Sequence, residues 1–212
     1  MKIIDCDQGS PEWLAARVGK VGASRVHEIV ANTKSGPSAM RTNYHAELVA
    51  ERLTGQPAEK FTSGPMQWGN DNEAGARDMY SFARSVCVER VGLVLHPAIS
   101  MAMASPDGLV GDEGLVEIKC PNTATHIETL LSEGVADRYV KQMQWQMACT
   151  GRRWCDFVSY DPRMPAEMQL HVQRVYRDQE MISCLECAVV LFLEEVANTV
   201  EKLTAKFMRE AA

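Results

Sequence analysis

Residues 105–121 restrict the possible folds of this chain more than any other stretch. Two segments rich in aliphatic residues, 109–110 and 115–118, flank the polar tetrapeptide 111–114, which has glycine at both ends. A short polar turn bounded by glycines between two such segments is typical of a β-hairpin. We therefore predict two antiparallel strands that are joined at residues 111–114.

The second strand of this hairpin has one polar and one apolar face. Side chains alternate along a strand, so Glu117 and Lys119 point to one side while Val116 and Ile118 point to the other. The apolar side chains belong to the core. Asp107, across the hairpin, comes next to Glu117, which brings two carboxylates and an amine together on the polar face.

Two neighbouring carboxylates repel each other at neutral pH, and a divalent cation relieves that repulsion. Mg²⁺ is held by one or two carboxylates together with phosphate oxygens, and a lysine beside it can orient or deprotonate a water molecule. Asp107, Glu117 and Lys119 therefore predict a metal site for phosphodiester hydrolysis. The spacing alone also occurs on solvated strand faces, so that alternative stays open at this point.

Hydrophobic periodicity predicts helices, then a central group of strands, further helices, two strands and a long final helix. This order indicates an α/β fold with a central mixed β-sheet flanked by helices, and residues 1–212 as a single domain. Ser10 is expected to cap the first helix, with Pro11 at its first position. The predicted helices are 11–17, 23–30, 42–54, 70–84, 123–133, 137–150 and 178 onwards, and the predicted strands are 86–95, 99–104, 109–110, 115–118, 154–160 and 168–175.

Further predictions concern two connecting segments and the helix predicted over residues 70–84. Residues 64–65, Gly-Pro, are expected to form a turn before this helix, and residues 32–41 are expected to form a polar loop. Ala74, Met79 and Phe82 are expected to face the core.

Composition excludes several classes of protein. The seven cysteines have irregular spacing, which does not indicate a disulfide framework. The longest apolar run, residues 187–193, is seven residues long, far below the roughly 20 that cross a bilayer, and the N-terminus lacks a signal-peptide pattern. We expect a cytoplasmic protein without membrane contact. The net charge of −6 does not exclude nucleic acid, because an acidic protein can carry a local basic groove.

Two further patterns have ordinary explanations. Cys184 and Cys187 form a single C-x-x-C within the last predicted helix, and without a second pair we interpret them as two small apolar residues rather than as zinc ligands or a redox pair. No G-x-x-x-x-G-K-[ST] stretch occurs, so no nucleotide cofactor is expected.

Five blocks of sequence, taken together, resemble a known family. They are "EWLAARVGKVGAS" (12–24), "WGNDNEAGARDMY" (68–80), "SPDGLVGDEGLVEIKCP" (105–121), "YVKQMQWQMACTG" (139–151) and "YDPRM" (160–164). In order and spacing the chain resembles the lambda-type phage exonucleases, the YqaJ-like viral recombinase nucleases of the PD-(D/E)xK superfamily. The resemblance implies a restriction-endonuclease-like core and a Mg²⁺-dependent exodeoxyribonuclease. Such an enzyme degrades one strand of linear duplex DNA from 5′ to 3′ to mononucleotides and leaves a 3′ single-stranded overhang for recombination by strand annealing.

The resemblance also implies roles for the residues of the hairpin. Asp107 and Glu117 match the metal-binding carboxylates, and the main-chain carbonyl of Ile118 matches a further ligand. Lys119 matches the lysine that activates water, and Glu73 matches an acidic residue on the preceding helix. The expected cofactor is Mg²⁺, with two ions bound and Mn²⁺ as a possible substitute.

A second group of residues is expected to bind the DNA end. Arg17 lies four residues after Trp13, so both lie on one helical face, an arrangement that an ordinary surface arginine also adopts. By resemblance, Arg17 anchors a 5′-terminal phosphate, for which an arginine fork is well shaped. The resemblance places Ser24, Ser105 and Gln142 at the same phosphate and Met66 as a wedge in the end base pair, and leaves the role of Gln146 open.

The expected partners are 5′-phosphorylated ends of double-stranded DNA, a single-strand annealing protein and two further copies of the chain in a homotrimer. Two alternatives use the same residues. A restriction-type or structure-specific endonuclease would keep the metal site but would not require a pocket for a terminal phosphate. A non-catalytic DNA clamp would have no reason to retain both carboxylates and the lysine.

Overall fold

The structure, a computed structural model, describes residues 1–33, 36–58 and 63–208. The expected α/β architecture is confirmed, with helices on both sides of a mixed sheet. The helices are α1 Pro11–Arg17, α2 Val26–Ile29, α3 Ala39–Thr54, α4 Gly64–Arg84, α5 Thr123–Leu131, α6 Asp137–Thr150 and α7 Gln179–Phe207, with 3₁₀ turns at Ala23–Arg25 and Ala166–Met168. The strands are β1 Lys2–Ile4, β2 Val21–Gly22, β3 Asn32–Thr33, β4 Gly36–Pro37, β5 Val88–Glu89, β6 Leu93–Leu95, β7 Ala102–Ala104, β8 Gly108–Val110, β9 Gly114–Lys119, β10 Trp154–Tyr160 and β11 Leu170–Tyr176.

The sheet that carries the predicted hairpin has the strand order β11-β10-β9-β8-β5. β8 and β9 pair antiparallel, as predicted, while β9 and β10 pair parallel. A second sheet has the order β1-β6-β7-β2, and β3 and β4 form a two-stranded sheet. β9 and β10 are central strands, and helices pack on both faces of the sheet there, so both strands are rich in buried apolar residues.

The two faces of this sheet pack against different helices. On one face lies α4, against a cluster that includes Ala76, Tyr80, Val116 and Val158. On the other lies α6, which also contacts α7, β7 and the 3₁₀ turn Ala23–Arg25 and buries Trp145 in the larger core cluster. Glu117 and Lys119 project to the α6 side, where Glu117 meets two α6 side chains.

Local signals at the helix termini were read correctly at α1 but not at α4. Ser10 accepts a hydrogen bond from Trp13 N–H, and Pro11 occupies the first turn of α1. The prediction of a turn at residues 64–65 was wrong, since α4 begins at Gly64. Proline is tolerated in the first helical turn, where its missing N–H has no intrahelical partner, so Gly-Pro starts this helix.

The predicted inward face of α4 was also wrong. Met79 and Phe82 are 36% and 84% exposed, and Ala74 is exposed as well. Ala76 and Tyr80, one turn apart, are buried instead. Tertiary packing decides which face of α4 contacts the sheet. The apolar pattern of the segment does not determine that face.

Two smaller differences from the predictions lie in the first 41 residues. The predicted loop 32–41 contains the short strands β3 and β4, and residues 34–35 lie outside the described residues. The expected helix 23–30 is divided into a 3₁₀ turn and α2. Cys184 and Cys187 lie on α7, within the predicted last helix, and both are exposed. Within the described ranges, no helix has the length and apolar character needed to cross a membrane.

Candidate active site

The register of β8 and β9 places Asp107 beside Glu117. Gly108 is paired with Val116, so Asp107 stands one position before that pair on the side of Glu117. Asp107 Oδ2 accepts a hydrogen bond from the N–H of Ile118 at 2.6 Å, which fixes this carboxylate against the end of β9. The two acids therefore meet at one end of the hairpin.

Glu117 is 1% exposed and uses both of its carboxylate oxygens. Oε1 accepts from Lys119 Nζ at 2.5 Å and from Gln142 Nε2 at 2.6 Å. Oε2 accepts from Gln146 Nε2 at 2.5 Å. The two glutamines are one turn apart on α6, so a single face of this helix satisfies the buried carboxylate.

Glu73 approaches the same site from α4. It forms an ion pair with Arg77, one helical turn further along. Arg77 also donates through Nε to the carbonyl oxygen of Asp107 at 3.3 Å. This arginine therefore links the α4 acid to the backbone of the hairpin, and its position four residues after Glu73 is a signal that sequence reasoning could have used.

A cleft of about 390 Å³ opens between α4 and the end of β9. Glu73, Asp107 and Lys119 line it together with Ile118, and Met66 is 51% exposed at its α4 side. Tyr139 completes the opposite wall, with Lys119 Nζ 5.4 Å from its ring centre. No pattern in the sequence singled out Tyr139.

The electrostatics of this cluster are those of surplus negative charge. Burial, together with Glu117 and Glu73, raises the pKa of Asp107 well above its ordinary value. Burial lowers the pKa of Lys119, but Glu117 and Asp107 outweigh it, and the pKa ends above its ordinary value. One amine thus serves two close carboxylates, an imbalance that a divalent cation would correct.

The residues present fit a hard cation. Asp107, Glu117 and the Ile118 carbonyl offer only oxygen donors, the type that Mg²⁺ prefers. Among the residues that the structure describes, no group of three or more His, Cys, Asp and Glu side chains is arranged to hold an ion. Further ligands would come from water or phosphate, as is usual for Mg²⁺.

The residues predicted for the DNA end lie partly in a second, smaller pocket. Arg17 stacks on Trp13, with its guanidinium carbon 3.9 Å from the ring centre. Arg17 Nη1 meets Met103 Sδ at 3.9 Å, and no carboxylate pairs with Arg17 within the described ranges. Burial lowers the pKa of Arg17. A half-buried guanidinium whose acceptor is a thioether has hydrogen-bonding capacity left for an anion.

Ser24 and Ser105 differ in what they can offer such an anion. Ser24 is exposed in the 3₁₀ turn and lines the pocket with Arg17. Ser105 Oγ accepts from Trp13 Nε1 at 2.9 Å and donates to the carbonyl of Gly92 at 3.0 Å, so its proton is engaged. Gln142 donates to Glu117, so the structure places it beside Glu117 and Lys119.

Residues of the "YDPRM" block connect the elements that form the cleft. Asp161 is fully buried and accepts from Arg163 and from the hydroxyl of Thr123. These bonds outweigh burial and lower the pKa of Asp161 to about 2. Arg163 also stacks over Trp68 of α4 at 4.1 Å and donates to the Pro121 carbonyl. The block therefore fastens α4 to the end of β9.

Comparisons with known proteins agree with this geometry. An alkaline exonuclease from Laribacter hongkongensis (LHK-Exo) is 49% identical, with a TM-score of 0.89 over 95% of this chain and 100% of that one, and the same values hold for its crystal structure in complex with dAMP. A phage related exonuclease from Haemophilus somnus 129PT is 17% identical, with a TM-score of 0.69 over 87% of this chain and 96% of that one, a likeness of fold. No curated protein matches the chain.

The fold is thus the restriction-endonuclease-like PD-(D/E)xK core that the five sequence blocks predicted. The description "YqaJ-like viral recombinase domain" matches residues 12–153, well over half of the sequence. This match contains α1 from its second residue, the Glu73 helix, the hairpin and the α6 glutamines. The chain belongs to the YqaJ-like viral recombinase family.

Proposed function

We propose that this protein is a metal-dependent exonuclease that degrades one strand of linear duplex DNA from its 5′ end and releases mononucleotides. The observation that carries the proposal is the contact of the buried Glu117 with Lys119 Nζ at 2.5 Å, where Lys119 and Asp107 line an open cleft. The 49% identical LHK-Exo is an exonuclease, and its complex with dAMP supports a nucleoside monophosphate as product.

Hydrolysis requires that the oxygen of a water molecule bond to phosphorus while the bond from phosphorus to the 3′ oxygen of the first nucleotide breaks. That oxygen leaves as a hydroxyl, and the next nucleotide keeps a 5′-phosphate. Mg²⁺ held by Asp107, Glu117 and the Ile118 carbonyl would polarise the phosphate and acidify the water. The Lys119 ammonium, kept charged by the two carboxylates, stabilises the negative charge on the phosphate and orients the water.

The Arg17 pocket supports the proposed direction of degradation. Each cut creates a new 5′-phosphate, the anion that the half-buried guanidinium of Arg17 and the hydroxyl of Ser24 are suited to bind. Trp13 would hold the Arg17 fork in place by stacking. Met66, exposed beside the cleft, would contact the end base pair.

The remaining parts of the proposal concern cofactor and assembly. Two Mg²⁺ ions are proposed, with Mn²⁺ able to replace them, since the oxygen donors suit both. A homotrimer around the DNA and a single-strand annealing partner for the 3′ overhang are proposed on the family resemblance. The mass of the protein in solution, measured by light scattering, tests the trimer.

The decisive experiment compares linear duplexes with and without a 5′-phosphate and a closed circle, each incubated with Mg²⁺. We expect digestion of the linear forms only, faster with the phosphate, and mononucleotide products. Arg17→Ala should remove about tenfold of the phosphate preference, the value of one charge-assisted hydrogen bond. Arg153→Ala, a surface arginine paired with Glu113, loses the same charge and should keep the preference. Cleavage of the closed circle would establish the endonuclease alternative instead.

A further inference from the structure

Gln146 is a buried polar side chain to which neither the family resemblance nor the sequence pattern assigns a role. It has no exposed surface, and its Nε2 donates to Glu117 Oε2 at 2.5 Å. Gln142 and Lys119 both donate to the other oxygen, Oε1. In the described part of the chain, Gln146 is therefore the donor that holds Oε2.

The orientation of the Gln146 amide is fixed by its second contact. Its Oε1 accepts from the thiol of Cys155, a fully buried residue of β10, at 3.9 Å. A reversed amide would turn its oxygen toward the Glu117 carboxylate, and two acceptors would then face each other. Cys155 and Glu117 together thus determine which end of the amide faces the site.

The two carboxylate oxygens of Glu117 differ in whether they have a lone pair left to bind a further ligand. A carboxylate oxygen offers two lone-pair sites, and those of Oε1 are both engaged by Gln142 and Lys119. Among the residues that the structure describes, Oε2 accepts a hydrogen bond from Gln146 alone, so its second lone pair is available. The bond from Gln146 fixes the direction of that lone pair.

We propose that Gln146 is a positioning residue that holds the Glu117 carboxylate in the orientation needed to bind a divalent cation. The proposal rests on the proposed metal-dependent function. Hydrogen-bonding partners of metal ligands typically change metal affinity or activity by about 10–100-fold when they are removed. Glu117 is buried, so no solvent is at hand to replace the lost donor.

The same helix offers a matched control. Gln144 is 2% exposed, and its amide donates to the Tyr176 carbonyl at 2.8 Å and accepts from Asp178 N–H at 2.9 Å. It is thus a buried, doubly bonded glutamine of α6 that joins α6 to the start of α7, with no contact to Glu117. A purely structural glutamine should behave as Gln144 does.

The experiment compares Gln146→Met with Gln144→Met. Mn²⁺ is titrated by calorimetry into the DNA-free proteins, and the Mg²⁺ dependence of linear-duplex digestion is measured. Gln146→Met should weaken Mn²⁺ binding about 10–100-fold and raise the Mg²⁺ concentration for half-maximal rate by a similar factor, with a smaller change at saturating Mg²⁺. Gln144→Met should keep wild-type Mn²⁺ affinity while its melting temperature falls.

Wild-type Mn²⁺ affinity in Gln146→Met, or an equal loss in Gln144→Met, would overturn the assignment. If Gln146→Met does not fold, Gln146→Asn keeps a polar amide but is one methylene too short to reach Glu117, and the same loss is expected. Failure of the wild-type protein to digest linear duplex would contradict the proposed function, whereas the Mn²⁺ titration tests Gln146 independently of digestion.

Discussion

Asp156 and Glu117 are both buried carboxylates of one sheet, on adjacent parallel strands, yet their partners differ. Each is 1% exposed. Asp156, on the α4 face, accepts two hydrogen bonds from the guanidinium of Arg174 at 2.7 and 2.9 Å and one from the Tyr80 hydroxyl at 2.8 Å. One carboxylate is thus matched by one cation, as buried charges require.

Glu117 shares its cation with a second acid. Lys119 is the amine at this cluster, while Asp107 adds a carboxylate whose pKa is raised by burial and by its acidic neighbours. This cluster faces a cleft. Burial of a carboxylate therefore does not mark a functional site by itself. A surplus of carboxylates over cations at an opening does, because an added cation stabilises it.

Of the substitutions that test this comparison, removal of Lys119 should have the largest effect, and that effect is on the rate of digestion. Lys119→Ala is expected to slow digestion of linear duplex by about 10²–10⁴-fold, the usual range for loss of a group that acts on the proton or charge of the reaction. DNA binding, measured with Ca²⁺ in place of Mg²⁺, should stay near that of the wild type. Lys141→Ala, which removes an α6 lysine paired with Asp137, should digest at the wild-type rate. Normal turnover of Lys119→Ala would exclude the proposed role.

Removal of Arg174 should act on stability instead. Among the described residues, Arg174→Ala leaves the buried Asp156 carboxylate with the Tyr80 hydroxyl as its hydrogen-bond donor, and it removes the stacking of Arg174 on Trp154 at 3.5 Å. Loss of one partner of a buried pair costs several kcal/mol. We expect the free energy of unfolding in urea to fall by roughly 3 kcal/mol, the lower end of the range because Arg174 is partly exposed.

Activity per folded molecule should change little in Arg174→Ala, because Asp156 faces away from α6 and contacts α4 at Tyr80, whereas the cleft is lined by residues 65–73 of that helix. An activity loss comparable to that of Lys119→Ala would mean that the two faces of the sheet are not independent. That result would remove the distinction between a structural ion pair and a charged site.

The hairpin could be predicted from sequence because its determinants are local. Glycine at each end of the turn and alternation along the strand place Glu117 and Lys119 on one face without knowledge of any other element. The pairing of Arg17 with Trp13 follows in the same way from a spacing of four residues on α1. In both cases neighbours in sequence are neighbours in space.

The missed features depend on contacts between distant segments. Phe82 was expected in the core because it is apolar, but the face of α4 that meets the sheet is set by Ala76 and Tyr80. Gln146 is polar on a helix, which ordinarily means exposure. It is buried because Glu117, 29 residues away in sequence, needs a donor. No local pattern distinguishes Gln146 from a solvated glutamine.

The smallest expected effect concerns stability: removal of the carboxylate charge should stabilise the protein at Asp107 and destabilise it at Asp156. Because burial and neighbouring acids raise the pKa of Asp107, its ionised carboxylate lowers the stability of the metal-free protein at neutral pH. Asp107→Asn keeps an oxygen that can accept from Ile118 N–H and removes the charge. In EDTA its melting temperature should rise by about 2–4 °C, which corresponds to roughly 1 kcal/mol for a chain of this length.

Addition of Mg²⁺ should change the melting temperatures of the wild type and of Asp107→Asn differently. It should raise the melting temperature of the wild type, because an ion that binds only the folded state stabilises it, and leave Asp107→Asn unchanged. Asp156→Asn, the matched substitution on the other face, should lower the melting temperature with or without Mg²⁺, since Arg174 loses its carboxylate. A lower melting temperature of Asp107→Asn in EDTA would show that Asp107, like Asp156, is a structural carboxylate whose charge is already matched.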